Sequence, residues 1–277
     1  MNRIISNTRV SENLLKFEVR TSIAVNEIKA GQYVILKLEK NEPGISLPVY
    51  KTNKEKETIT GFVYVTDDSA KRLAKLNPGN SIFGIDGPFG YPVLIGNSGT
   101  VICVARGPGI VLLLPVLTSL RSAGNRIITI LSAQAKEDIL LEEKIKAVSD
   151  EMITINEGGS CKENVSICQV MGQILKDNRI DQVFAFGSAK IIKQTFSQSS
   201  RYDIQKQGVL FWGPTDEDGI YGIFRVRMCG SGKEICVDGF NFNAYYPNFD
   251  EMVRRFGSGE LEMGSRSNIS GKVNIPV

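Results

Sequence analysis

Hydrophobic and polar residues alternate along Leu14 to Arg20 (LLKFEVR), and the stretch after a glycine turn, Tyr33 to Leu38 (YVILKL), follows suit. A period of two predicts half-buried strands at both places. Thr58 to Val65 (TITGFVYV) is rich in β-branched and aromatic residues and predicts a third. A short helix is predicted over Ser69 to Leu76, with Ser69 in a capping position and Ala70, Leu73 and Leu76 at helical spacing. The turn-rich stretch GIDGPFGYP, Gly84 to Pro92, closes this part of the chain. Short strands at this spacing predict a small antiparallel barrel over residues 1–97.

From Gly99 the pattern changes. Thr100 to Ala105 (TVICVA) is a continuous apolar run of the kind buried on both faces of a parallel sheet. A glycine turn and an apolar helix to about Ser122 follow. Strands are then predicted at Arg126 to Ser132, Glu151 to Ile155, Gln182 to Phe186 and Val209 to Trp212. Helices are predicted between them at Glu137 to Val148, Ser166 to Lys176 and Ala189 to Ser197. Repeated strand–helix units of this length mean a parallel α/β sheet over residues 98–213. The remainder, 214–277, is glycine-rich and without clear periodicity.

Composition sharpens this picture. A chain of 277 residues is long enough for two cores. The 33 basic and 30 acidic residues balance too evenly for a polyanion partner, so nucleic acid is not expected. The polar start, MNRIISNTRV, lacks the apolar core of a secretory signal. The most apolar run, Ile110 to Leu117, is far short of the roughly 20 residues needed to span a bilayer. A cytoplasmic protein without membrane association is the expectation. There is no histidine, which excludes an imidazole base and histidine metal ligands. The five cysteines, Cys103, Cys161, Cys168, Cys229 and Cys236, are odd in number and read as thiols or metal ligands rather than a disulfide framework. Neither Cys161 with Cys168 nor Cys229 with Cys236 has the short spacer, about two to four residues, of a structural zinc site. No metal site is expected.

Two glycine turns carry the candidate chemistry. In VARGPGIVLLLP, Gly107, Pro108 and Gly109 lie between a buried strand and a helix, where backbone N–H groups can face a pyrophosphate. A third glycine is missing, so this is not a full dinucleotide fingerprint, and a tight turn that simply needs glycine explains the same residues. In AFGSAK, Gly187 ends another buried strand just before a helix. Both turns fall on the strand ends where open α/β sheets bind ligands, which together favours a nucleotide. The mixed-charge stretch Lys136 to Lys146 reads as a solvated helix face, and the aromatic stretch Phe240 to Phe249 as flavin stacking, a partner seat or simple packing.

Several stretches carry a wider likeness: AGQYVILKLEKNEPGISLPVY, IDGPFGYP, GTVICVARGPGIVLLLPVLTSLRSAGNRIITILSAQ, AVSDEMITINEGGS and ICVDGFNFNAYYPNFDEMVRR. On these the chain resembles, over nearly its full length, a group of FAD- and NAD(P)-binding electron transfer subunits. The group includes the dihydroorotate dehydrogenase electron transfer subunit, the sulfide dehydrogenase β subunit and the small subunit of NADH-dependent ferredoxin:NADP oxidoreductase. The resemblance implies a ferredoxin reductase-like fold: an antiparallel six-stranded β-barrel holding flavin, a parallel α/β domain holding NAD(P)H, and a C-terminal loop that in the family holds a [2Fe-2S] cluster. It also implies hydride passing between NAD(P)H and FAD, and a larger oxidoreductase subunit as partner.

Carried over residue by residue, the likeness is uneven. The family's flavin-phosphate arginine falls on Gly44 and its flavin-bonding hydroxyl on Pro48; its phosphate turn falls on Thr66 to Ser69, with Asp67 and Asp68 where anions are unwelcome. The flavin contacts that remain are Leu47, Pro48, Val49, Tyr50, Tyr64 and Ser69, and the nucleotide contacts are Gly107, Pro108, Gly109 and Gly187. The cluster loop keeps at most Cys229 and Cys236, with Asp218 as a third candidate, whereas a [2Fe-2S] cluster needs about four ligands, so none is expected. No catalytic residue is singled out. An electron-transfer oxidoreductase subunit leads; a non-redox binding or regulatory subunit that keeps the reductase fold is the alternative, and a nucleotide sensor is a weaker third. NADH and NADPH are not distinguished.

Overall fold

The computed structural model describes residues 2–42, 44–65, 67–107, 109–133, 141–156, 166–212, 222–229, 234–239 and 242–256. The first sheet contains β1 (Asn2–Ser11), β2 (Leu14–Arg20), β3 (Tyr33–Lys37), β4 (Ile45–Asn53), β5 (Thr58–Tyr64), β6 (Ser81–Ile82) and β7 (Gly84–Phe89), with helix α1 (Asp68–Ala74) between β5 and β6. Its antiparallel order is β6-β1-β2-β5-β4-β3-β7. The terminal strands β6 and β7 are halves of one run broken at Phe83, pairing with β1 on one side and β3 on the other. The barrel implied by the resemblance is therefore present with its sixth strand split. Phe17, Val34, Leu36, Leu47 and Ile59, all fully buried, fill it.

The second sheet holds β8 (Thr100–Arg106), β9 (Arg126–Ala133), β10 (Glu151–Asn156), β11 (Gln182–Gly187), β12 (Gln205–Trp212), β13 (Gly222–Cys229), β14 (Glu234–Gly239) and β15 (Phe242–Tyr246). The helices are α2 (Gly109–Ser122), α3 (Glu142–Val148), α4 (Ile167–Asp177), α5 (Ala189–Gln198) and α6 (Phe249–Phe256). Strand order is β10-β9-β8-β11-β12-β13-β14-β15; the first five strands are parallel and the last three antiparallel. Both faces of the parallel part are covered, as its apolar runs require. Val101, Cys103 and Ala105 face α2, while Ile102 and Val104 face α4 and α5. Three antiparallel strands in 222–246 were not anticipated. β13 does alternate, with Val226, Phe224 and Met228 packed with α5 and α6 and Arg225 and Arg227 on the other face.

The two lobes share a core. Tyr33 of the barrel and Val93 of the connecting segment pack in the same cluster as α2. The connector is also clamped by hydrogen bonds: Leu94 N–H donates to Gln207 Oε1 (3.1 Å), and Gln207 Nε2 donates to the Leu94 carbonyl (3.1 Å). Arg225 lies over the Tyr91 ring, 4.8 Å from its centroid, and donates to the Pro92 carbonyl at 3.4 Å.

At the opposite edge, Asp150 accepts from Arg121 Nη1 (2.6 Å) and from the Ile127 N–H (2.8 Å). The Arg121 bond, and after it the backbone bond, hold its carboxyl below the usual carboxylate range. A depressed folded pKa stabilises the fold above the unfolded value of about 3.9, and the contribution is lost as pH falls through the folded value. Asp150→Asn is expected to lower Tm at pH 7, with the gap to wild type narrowing below pH of about 4 in melts run against pH. A gap independent of pH would contradict this.

Candidate functional site

In the parallel part of the sheet, β9 and β10 lie to one side of β8, and β11 and β12 to the other. The chain thus reverses its direction of travel between β8 and β11, the topological switch point at which open α/β sheets bind ligands beyond their strand ends. Gly107 and Gly109 follow β8, and Gly187 ends β11, so the two turns identified in the sequence stand side by side here. Pro108 lies outside the described residues.

The three glycines have different reasons to be glycine. A Cβ on Gly109 would come within 2.3 Å of the Phe186 carbonyl oxygen and 2.8 Å of Gly187 N, so this glycine lets the start of α2 press against the end of β11. Gly187, at φ +147, would place a Cβ 3.2 Å from the Arg106 carbonyl oxygen. Gly107 is at φ +54, in the left-handed region, and a Cβ there would meet nothing within 4 Å. The space above Gly107 is open to a ligand. Two helix N-termini point to this edge, and neither α2 nor α5 has an acidic residue in its first turn. Ser188, the N-cap of α5, makes no side-chain capping bond. This backbone arrangement fits a pyrophosphate: helix dipoles supply partial positive charge, and an unused hydroxyl stands beside it.

The barrel side is a poor match for a flavin diphosphate. A Cβ on Gly44, where the resemblance places an arginine, would fall 2.1 Å from Ile35 Cγ2, so the packing leaves no room for a side chain. The cap of α1 differs from the sequence expectation as well. Asp67, not Ser69, is the N-cap, and its Oδ1 accepts from Ala70 N–H at 2.7 Å. The reason is geometric: Asp67 has the extended backbone of an N-cap, whereas Ser69 already lies inside the helix. Asp68 follows it, and Arg72 is engaged by Glu39 (2.5 Å) and Glu42. An anion brought to this helix end meets a carboxylate already in its place. Asp67→Ala is expected to cost about 1 kcal/mol of stability by denaturant unfolding, the usual value of a lost N-cap; no change would show that the cap bond is immaterial.

The other flavin candidates divide between two packed clusters, with Ser69 inside α1. Leu47 is fully buried in the barrel core, and Pro48 and Val49 are also buried. Tyr50 meets Phe62 edge-on, with ring centroids 5.4 Å apart. Tyr50 and Tyr64 pack with Leu141 around Leu14, Phe62 and Val111, so residues of the barrel, α2 and the start of α3 meet where the two lobes join. Leu141 holds a left-handed backbone, φ +63, unusual for a branched residue.

For the cysteines, Cys103 and Cys168 are free thiols, and burial pushes the Cys103 thiol well above its ordinary pKa. Cys236 is disulfide-bonded, which corrects the expectation of thiols throughout. Asp218 lies outside the described residues. No group of three metal-ligating side chains occurs among the described residues. No helix among them is long and apolar enough to cross a membrane.

Sheet, barrel and their joint together define the ferredoxin reductase-like class. A ferredoxin NADP+ reductase from Neisseria gonorrhoeae, solved with bound FAD and NADP, superposes with a TM-score of 0.53 at 14% identity, over 79% of this chain and 94% of that one, and shares the fold. A chain of the NADH-dependent reduced ferredoxin-NADP oxidoreductase superposes with a TM-score of 0.68 at 25% identity, covering 79% of each. In sequence, the chain is a homologue, 27% identical over 260 residues, of the dihydroorotate dehydrogenase B (NAD(+)) electron transfer subunit homolog of Thermotoga maritima, covering 92% of this chain and 90% of that one. No protein-family model matches.

Proposed function

We propose that this chain is an electron-transfer oxidoreductase subunit that binds NAD(P)H at the β8/β11 switch point and, with a larger oxidoreductase subunit, passes reducing equivalents between that nucleotide and a flavin. The observation that carries it is the open, left-handed Gly107 between two helix N-termini free of acidic first-turn residues. On this reading residues 98–213 are the nucleotide domain, 1–97 the flavin-type barrel and 214–277 the counterpart of the cluster loop. The relatives support it, being named as electron transfer subunits.

NAD(P)H supplies hydride chemistry when bound. The protein's share is binding and orientation: the N–H groups at the starts of α2 and α5 hold the pyrophosphate, Ser188 offers a hydroxyl, and close packing at Gly109 and Gly187 keeps the two turns in register. No step is assigned to a flavin diphosphate at α1, because Gly44 and Asp67 do not fit one.

Isothermal titration with NADH, NADPH and FAD separately tests the reading. Heat from a nicotinamide nucleotide at one site per chain is expected. Absence of heat from both would overturn it. The acidic α1 and the packed Tyr50–Leu141 cluster favour, as a second reading, a binding subunit without redox turnover. Nucleotide that binds but is never oxidised in the presence of the copurified partner would select that reading.

A further inference from the structure

Arg106 is the last residue of β8 and stands in register with Ser132 of β9. Strand side chains alternate, so Arg106 continues the face of Ile102 and Val104, and Ser132 that of Ile128 and Ile130. The two residues are therefore neighbours on one face at the ligand-binding edge, the face on which α4 and α5 pack. Arg106 also borders the second glycine turn, since a Cβ on Gly187 would stand 3.2 Å from its carbonyl oxygen. In an open α/β sheet the strand beside the glycine turn, here β9, ends near the adenosine ribose of a bound dinucleotide. A carboxylate at that point accepts from the ribose 2′-hydroxyl, whereas a 2′-phosphate calls for an arginine nearby. β9 ends in Ser132 and Ala133, and β10, its neighbour, in Asn156. No carboxylate stands at the last described residues of β8, β9, β10 or β11. Neither α4 nor α5 brings one in its first turn, and α5 carries Lys190 there. Ser132, small and fully buried, leaves the edge to the half-buried Arg106.

We propose that Arg106 selects NADPH over NADH at this site, by pairing its guanidinium with the 2′-phosphate on the adenosine half. The planar fork of a guanidinium matches two phosphate oxygens at once and stays charged at every working pH. With the pyrophosphate over Gly107, the adenosine half lies toward β9, and Arg106 is the cation between the two. A 2′-hydroxyl in the same place meets a donor and no carboxylate among the described strand ends, so NADH gains less there. The inference rests on the function proposed above, in taking the β8/β11 edge as the nucleotide site, and adds to it which nucleotide is preferred.

The test is isothermal titration of the full-length protein with two pairs of ligands that differ only in the 2′-phosphate: NADPH and NADH, and 2′,5′-ADP and 5′-AMP. The member carrying the 2′-phosphate is expected to bind at least about tenfold more tightly in each pair, the order of effect of a charge-assisted contact. In Arg106→Gln the advantage of NADPH should shrink by about tenfold or more, because NADPH loses more affinity than NADH. Arg106→Lys, which keeps the charge without the fork, should hold an intermediate advantage. NADH bound as tightly as NADPH would overturn the selection and leave the function proposed above standing. Equal losses of both nucleotides in Arg106→Gln would do the same, by placing Arg106 on the pyrophosphate. Should that variant fail to fold, Arg106→Lys and the wild-type comparison of 2′,5′-ADP with 5′-AMP carry the decision, and equal affinities in either overturn the selection. Failure of both nicotinamide nucleotides to bind would instead sink the proposed function, and the selection with it.

Discussion

Gly109→Ala is expected to destabilise the protein by about 3 kcal/mol, at the upper end of overpacking costs. The added Cβ would meet the Phe186 carbonyl oxygen at 2.3 Å and its carbon at 2.4 Å. These are backbone atoms of a central strand, with no flexible end to swing aside. Either α2 moves away from β11 or the end of β11 bends. Leu113 and Leu117 lose their packing with Phe184 and Phe186 in the first case, and the β8–β11 pairing suffers in the second. For a chain of this size the cost appears as a Tm lower by several degrees. Nucleotide binding should fall with it, because the turn that carries Gly107 is displaced. An unchanged Tm would show that the close approach of the two turns is not what holds the edge together.

The second large effect is at Asp238. Its Oδ2 accepts from Arg225 Nη2 at 3.1 Å and from Arg227 Nε at 2.9 Å, and the residue is buried. Arg225 is itself nearly buried, with 13% of its side chain exposed. Removing the carboxylate strands a cation out of water, a change that typically costs about 3–5 kcal/mol. Asp238→Ala is therefore expected to approach that loss, read by denaturant unfolding. Arg227→Ala, at a more exposed position, should cost clearly less. Because Arg225 also holds Tyr91 and Pro92, the Asp238 variant should loosen the connector between the lobes. Equal and small effects from both variants would contradict the account.

Much of the fold could be read from local pattern. The alternation of Leu14 to Arg20 and the apolar run of Thr100 to Ala105 gave strands in the places where β2 and β8 occur, because burial on one face or on two leaves its mark residue by residue. β4 was missed because Pro48 stands in its middle, against the rule that proline belongs at edges. The barrel accommodates it next to a register shift between Val49 and Lys51, where the ladder with β5 is already interrupted. β1 was missed because its residues are largely exposed and polar, and it is a strand only through its partners β2 and β6.

The site divides the same way. The glycine turns announced themselves, yet the reasons for them did not. That Gly109 is forced by Phe186 and that Gly107 faces open space depends on a strand about eighty residues away in sequence. Likewise Tyr50, Phe62, Val111 and Leu141 meet only once both lobes are assembled, and no local spacing shows that the aromatic residues assigned to a flavin pack into this cluster. The exchange of Ser69 for Asp67 as the cap of α1 turned on a two-residue difference in helix start, the kind of boundary that pattern reads poorly.

Amide hydrogen exchange with and without NADH locates the nucleotide on the chain. Added protection is expected in residues 104–112 and 185–191, the turns after β8 and at the end of β11, with the barrel strands unchanged. Protection confined to the barrel, or none at a saturating nucleotide concentration, would contradict it.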